Sequence, residues 1–415
     1  MHKILLTTVL YSILTIQTLA DEPLKGFAYA STTAPNGNEW ESPEQLALNK
    51  EQPHAYFFSF ADLESARKVL PENSRYWKSL NGDWKFHWAP EPDMRPKEFY
   101  QPEFDVSSWD LISVPSNWNI YGIQKDGSQK YGTPVYVNQS VIFVQHVEIG
   151  DWKNGVMRIP PTHWTTYKHR NEVGSYRREF DIPQDWEERE VFINFDGVDS
   201  FFYLWINGQY VGFSKNSRNT ASFNITSYLQ KGKNVVAAEV YRNSDGSFLE
   251  AQDMFRLPGI FRTVSLHSVP KVHIRDLVAI PDLDKNLSDG SLTINAEIRN
   301  LDKKIAKNYK IYYSLYANKL YSDENTLVGD WLSTVVQEVV PGKSTNVQTI
   351  FQVKTPQKWS AEFPYCYTLV AELKDKKNRT VETVSTVVGF RKVEIRDTPC
   401  LLYTSPSPRD RTRSR

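Results

Sequence analysis

The chain has 415 residues and balances 49 Lys plus Arg against 49 Asp plus Glu. A formal net charge of zero supplies no field to hold nucleic acid or an anionic membrane surface. A 40% hydrophobic share over this length is core enough for two or more domains, and two cysteines, Cys366 and Cys400, exclude a disulfide framework.

Met1 to Ala20 reads as an export signal. His2 and Lys3 open it, Ile4 to Ile16 form an apolar stretch too short to span a bilayer, and Thr18-Leu19-Ala20 is a small-x-small cleavage motif. The expected location is periplasmic or extracellular, with no lipid anchor, because no cysteine follows the motif. Residues 21–39, rich in Ser, Thr, Pro, Asn and Gly, read as a flexible leader. Trp40 to Leu70 form an N-terminal arm in which Leu63 to Val69 fit one or two helical turns.

Asn81-Gly82-Asp83 opens a strand, WKFHW, whose Trp84, Phe86 and Trp88 share one face by period-two alternation. Short strands with turn signals continue to about Ser268. Asn207-Gly208 between FFYLWI and QYVGF is the strongest hairpin signal of the set. The pattern predicts an all-β sandwich of jelly-roll type over residues 40–268. Within it, residues 141–173 read as a long loop. Its His146, His163 and His169 match no zinc spacing.

Ser244 to Arg262 reads SDGSFLEAQDMFRLPGIFR. Asp245, Glu250, Asp253, Arg256 and Arg262 share it with Met254, Phe255, Leu257, Ile260 and Phe261, a mixture that argues for an ordered, functional loop. The plain alternative is a loop that merely closes the domain, with Asp253 paired to Arg256. Pro270-Lys271-Val272 begins a second region, residues 269–397, with six or seven alternating strands at sandwich spacing. Cys366 falls in one of them, PYCYTLVAEL, as a small buried hydrophobe.

Several words resemble glycoside hydrolase family 2, and the long bacterial β-galactosidases within it. They are WESPEQLALNKEQPHAYFFSF, SLNGDWKFHW, VPSNWNIYG, YGTPVYVNQ, GSYRREFDIP, FDGVDSFFYLWINGQYVGFSKNSR, SDGSFLEAQDMFRLPGIFR and VVGFRKVEI, in family order from Trp40 to Ile395. The resemblance implies a jelly-roll sugar-binding domain followed by an immunoglobulin-like β-sandwich. The family match stops at Asp397. TPCLLYTSPSPRDRTRSR could be a basic disordered tail. CLLYTSPSPRD, however, resembles a translated transposase sequencing adapter, so residues 398–415 are read as a non-native tail and the natural protein is expected to continue.

Retaining glycosidases need two carboxyl groups about 5–5.5 Å apart. In the resembled family both are glutamates on a (β/α)8 barrel, with magnesium ligands nearby. This chain shows no such barrel, so no catalytic residue is assigned, Glu250 included. The resemblance carries two site residues. Asn138 in P-x-Y-x-N corresponds to an amide that reaches the sugar, and Asp253 in Q-D-M-x-R to a carboxylate that helps hold sodium beside the sugar 6-hydroxyl, as a hard cation prefers. Gln139 stands where the family commonly has a small apolar residue, which leaves its role open. Trp118 could line a sugar face or pack; packing is expected. Trp205, Asn207, Gly208 and Phe213 are read as hairpin core, and Arg256, Gly259 and Arg262 as shaping the loop.

The expectation is the N-terminal part of an exported β-galactosidase that hydrolyses terminal β-D-galactose with retention, inert by itself and holding neither sodium nor magnesium tightly. A galactoside is the expected partner of the whole enzyme, with assembly into a homo-oligomer left open by the family. The alternatives are a stand-alone carbohydrate-binding protein and another family 2 glycosidase such as a β-glucuronidase. Apolar surface meant for a barrel would also make the severed domains poorly soluble.

Overall fold

Period-two alternation decides which face of each strand turns inward. The computed structural model describes residues 34–134, 171–250, 254–318 and 325–394. The export signal, residues 21–33 of the leader, most of the 141–173 loop, Asn138, Gln139, Asp253 and the tail lie outside the described residues. Among the described residues no helix is long and apolar enough to cross a membrane.

The first part contains β1 (Ala47–Leu48), β2 (Ser59–Phe60), α1 (Leu63–Arg67), β3 (Trp77–Ser79), β4 (Gly82–Ala89), β5 (Asp110–Val114) and α2 (Trp118–Tyr121). It continues with β6 (Val173–Asp181), β7 (Glu190–Phe195), β8 (Val198–Asp199), β9 (Phe201–Ile206), β10 (Gln209–Ser214) and β11 (Ala221–Asn224). β12 (Lys233–Tyr241), α3 (Ser247–Glu250), β13 (Gly259–Ile260) and β14 (Val264–Val269) complete it. A seven-stranded sheet, β1-β10-β9-β12-β6-β4-β5, faces a four-stranded sheet, β11-β7-β14-β3. Trp84, Phe86, Tyr176, Ile193, Phe202 and Leu204 fill the space between them, with Trp88 packed at the margin. Burial at this density, at roughly 25 cal/mol per Å² of apolar surface, is what holds two such sheets together.

Asn207 and Gly208 form the β9–β10 turn with φ of 51° and 78°, the doubly left-handed geometry that favours Asn-Gly. Asn207 Nδ2 also donates to Tyr228 O at 2.9 Å and Asn234 Oδ1 at 2.8 Å, so the turn braces the next loop. All six residues of β9 are buried, because its second face is covered as well. Trp40, Phe99 and Tyr241 pack there, and Tyr100 stacks on Trp205 at 4.8 Å.

The N-terminal arm is a strap. β1 pairs with β10, and β2 pairs with a strand of the second sandwich, Ser59 opposite Val384 and Phe60 opposite Thr383. α1 stands between the second contact and β3, its Asp62 carboxylate accepting the Ser65 amide at 2.8 Å as an N-cap. Gly212 makes the first contact possible, since a Cβ there would lie 2.1 Å from Leu48 O. Gly212→Ala should therefore push β1 off β10 and cost about 1–3 kcal/mol of overpacking. Urea unfolding would show the loss, and limited proteolysis should cut within residues 42–50 of the variant while sparing the parent.

The second sandwich is built from β15 (Val272–Leu283), β16 (Gly290–Asn300), β17 (Ala306–Asn318) and β18 (Asn325–Leu327). β19 (Leu332–Val339), β20 (Ser344–Val353), β21 (Cys366–Lys374) and β22 (Thr380–Val388) follow. Its sheets are β15-β16-β20 and β18-β17-β21-β22-β2, with β19 also on β17. Ile294, Ile298, Ile311, Tyr313, Leu369 and Leu373 meet between them. Cys366, expected to be buried, is half-buried, because it starts β21 opposite Asn318 at the end of β17 rather than lying in the strand interior. The architecture is all-β throughout, a jelly-roll sandwich followed by an immunoglobulin-like one.

Candidate functional site

β6 and β12 are antiparallel neighbours that end together, Val173 opposite Tyr241. Past that pair the ladder extends by one rung, Arg242 N donating to Glu172 O at 3.0 Å. The side chains of the same two residues then meet: Arg242 Nη1 lies 2.6 Å from both Glu172 oxygens, and Arg242 Nη2 donates to Thr133 O at 2.8 Å. Both side chains are almost wholly buried. Asn243 N donates to Asn171 Oδ1 at 2.9 Å, and Asn119 Nδ2 to Tyr131 O at 2.6 Å. Gly132, at φ 71°, leaves the space this needs, since a Cβ there would come within 2.4 Å of Glu172 Oε1.

The loop that begins at Ser244 is fastened carboxylate by carboxylate. Asp245 pairs with buried Lys215 at 2.7 Å, and Lys215 Nζ also donates to Ser42 O at 2.6 Å. Glu250 accepts the Ser217 amide at 2.8 Å and the Ser217 hydroxyl at 2.5 Å. Both carboxylates thus hold neighbouring chain in place.

The far end of the loop is fixed by backbone. Trp118 N donates to Pro258 O at 3.1 Å, Ser116 N to Ile260 O at 2.8 Å and Asn117 Nδ2 to Leu257 O at 2.5 Å. β13 pairs with β8, placing Gly259 opposite Asp199. Gly259 has φ 126°, and a Cβ would lie 2.8 Å from Ser116 O, so this close approach requires glycine. Arg262 Nη1 donates to Arg218 O at 2.8 Å, and the Arg218 guanidinium lies over the Phe261 ring. Between these fixed ends Met254 and Phe255 remain exposed.

Asp199 has the most perturbed carboxyl group of this region. Burial pushes its pKa up to about 7, helped by Glu250 and opposed by Arg218 at 3.4 Å and by Arg242. A carboxyl raised in the fold stabilises it fully below the unfolded value of 3.8 and loses that contribution as pH rises through about 7. Asp199→Asn should accordingly raise stability by about 1–2 kcal/mol at pH 8, a gain that shrinks to nothing near pH 4. Parallel denaturant titrations at the two pH values check it; a gain of equal size at both would contradict it.

Of the residues expected at the site, Asn138, Gln139 and Asp253 lie outside the described residues. Trp118 packs, fully buried against Phe86 and Tyr176, so its ring is closed to a sugar. Among the described residues no group of three or more His, Cys, Asp or Glu could hold a metal. Asp199, Asp245 and Glu250 are already engaged by Arg218, Lys215 and Ser217, and so do not compose a donor set for sodium or magnesium.

Sequence reading missed Arg242 and Glu172. The usable signal was a charge abutting each of two apolar strands, VVAAEVY-Arg242 and Glu172-VGSY, but pairing two segments so far apart in sequence needed the fold.

Known proteins place this architecture. The sugar-binding domain of glycosyl hydrolases family 2 matches residues 77–270, and the next domain of that family matches residues 272–391. A β-galactosidase of Priestia megaterium is 40% identical over 368 residues, covering 88% of this chain and 33% of its own length. One from Halalkalibacterium halodurans is 36% identical over 350 residues, covering 84% and 31%. A Bacteroides uniformis β-glucuronidase crystal structure superposes with a TM-score of 0.58 at 20% identity, over 76% of this chain and 32% of that one, a likeness of fold. The chain spans about a third of the length of the curated relatives it matches. Two consecutive domains of one family, in family order and built as the two sandwiches above, make this chain a member of glycosyl hydrolase family 2.

Proposed function

We propose that this chain is the sugar-binding and immunoglobulin-like part of an exported β-galactosidase that removes terminal β-D-galactose with retention of configuration. The observation that carries the substrate is the 40% identity to a β-galactosidase across 88% of the chain. The β-glucuronidase likeness, at 20% identity, speaks for the fold and favours no substrate. Retention calls for two carboxyl groups about 5–5.5 Å apart, one attacking the anomeric carbon and the other protonating the leaving oxygen. Both belong to a barrel beyond this chain, so the 415-residue chain by itself releases no product. Its own part is binding. Asn138 offers an amide to galactose hydroxyls, and Asp253 offers one carboxylate to a sodium ion beside the 6-hydroxyl, the remaining donors coming from the barrel, as do those for magnesium. Met1 to Ala20 directs export.

The test is an assay of the complete protein on aryl β-galactoside and aryl β-glucuronide. Hydrolysis of the galactoside is the expected result; hydrolysis of the glucuronide alone would overturn the substrate.

A further inference from the structure

The two sandwiches and the arm enclose a polar cavity of about 30 Å³ where they meet. Phe192 and His267 reach it from the first sandwich, Arg275, Arg299 and Glu382 from the second, and Glu51 from the arm. Two nitrogens of these residues have no hydrogen-bond partner among the described residues, His267 Nδ1 and Arg275 Nε. Both residues are 8% exposed. We propose that the cavity binds one chloride ion, which accepts from Arg275 Nε and His267 Nδ1 and so ties the second sandwich to the first.

Unmet hydrogen bonds choose the sign of the occupant. Two guanidiniums and two carboxylates stand in the walls, so net charge alone does not decide. The carboxylates are engaged: Glu51 lies 2.8 Å from Arg299 Nη1, and Glu382 accepts the Ser59 hydroxyl and the Ile274 amide. Arg275 gives Nη1 to Glu297 at 2.9 Å and Nη2 to Gln52 O at 2.8 Å. Its Nε stays 3.9 Å from Glu51, beyond a hydrogen bond. That N–H can only donate, and His267 also donates in the tautomer that protonates Nδ1. A buried donor left unmet is costly, more so when it is charged.

Size narrows the choice further. The cavity equals roughly the space of one water molecule in the liquid, enough for one monatomic ion. Water would bring two hydrogens that need acceptors of their own, whereas chloride takes donors alone. One ion here meets β14 through His267 and β15 through Arg275, beside Glu51 of the arm. Chloride therefore favours the docked pair of sandwiches over either one apart.

Urea unfolding of the 415-residue chain at about pH 7.5, in sodium chloride and in sodium gluconate of equal ionic strength, tests this. Gluconate screens equally and is far too large for the cavity. Going from none to about 200 mM chloride should raise the folded-to-unfolded ratio about 10-fold more than gluconate does, in proportion to concentration as one-site binding requires. His267→Phe should match the parent in gluconate and show less than about a 2-fold chloride gain. The match of parent and variant at that pH thus belongs to halide-free buffer. Crystals grown in sodium bromide give a second measurement, an anomalous peak in the cavity beside Arg275 Nε and His267 Nδ1. Equal stability in the two salts, an unchanged chloride gain in the variant, or bromide crystals without that peak would each overturn the proposal.

Discussion

Glu51→Ala should lower the unfolding free energy by about 3–5 kcal/mol and split unfolding into two transitions. Glu51 belongs to the arm, and its amide donates to Ser222 O of the first sandwich at 2.8 Å. Its carboxylate lies 2.8 Å from Arg299 Nη1 and 3.9 Å from Arg275 Nε, both in the second sandwich. Arg275 also reaches Glu297 at 2.9 Å and Gln52 O at 2.8 Å. All three side chains of the Glu51 cluster are under 10% exposed, so water screens them little. Removing the shared carboxylate takes away the counter-charge that Arg275 and Arg299 share in a buried place, and that loss exceeds the net worth of the intact group. Urea unfolding followed by tryptophan fluorescence and by far-ultraviolet circular dichroism measures the result. A shift below about 1 kcal/mol with coincident transitions would show that the strap does not couple the sandwiches.

The second effect depends on pH. His267 on β14 is buried where the two sandwiches meet, stacked on Phe192 at 5.2 Å and edge-on to Phe58. The groups around it are His54 and Glu51 from the arm, Arg189 before β7, His273 and Arg275 on β15, Arg299 on β16 and Glu382 on β22. Burial, reinforced by His54 and Arg189, pushes the His267 pKa down to about 3, and burial with Arg299 does the same for His273. A base depressed in the fold stabilises it fully above its unfolded value of 6.5 and loses that contribution as pH falls toward 3. At about 1.4 kcal/mol per pH unit, His267 alone costs about 2 kcal/mol at pH 5. His267→Phe keeps the ring contacts and gives up little, because Nδ1 has no hydrogen-bond partner among the described residues. The variant should match the parent at pH 7.5 and exceed it by about 2 kcal/mol at pH 5. An equal difference at both would contradict the assignment.

Glu382 works the other way. It is fully buried, accepts the Ser59 hydroxyl and the Ile274 amide, and burial pushes its pKa up to about 7. Its protonated form therefore stabilises the fold below 4.5, and that contribution is lost as pH rises through about 7. Below pH 6.5 the two histidines outweigh the one glutamate, which puts the most stable junction near pH 6.5.

Much of the fold was legible because alternation is a local signal. WKFHW announced the inward face of β4, and Asn207-Gly208 announced its own turn. The strap was not legible, because β1 and β2 are two residues each and leave no period to read. The covered second face of β9 was hidden for a related reason: Tyr203 and Trp205 look like ordinary outward aromatics until Trp40 and Tyr100 are brought over them. At the site, the buried Arg242–Glu172 ion pair was not legible, since it depends on the register of β6 against β12. Asp245 and Glu250, conspicuous as acids in the sequence, hold Lys215 and Ser217.

The measurement that tests the account most directly is to sequence the source DNA through the codon for Asp397. The account predicts an open frame that continues into a barrel with two strand-end glutamates, in place of CLLYTSPSPRD. A genomic CLLYTSPSPRD followed by a stop codon would contradict it and leave a two-domain carbohydrate-binding protein.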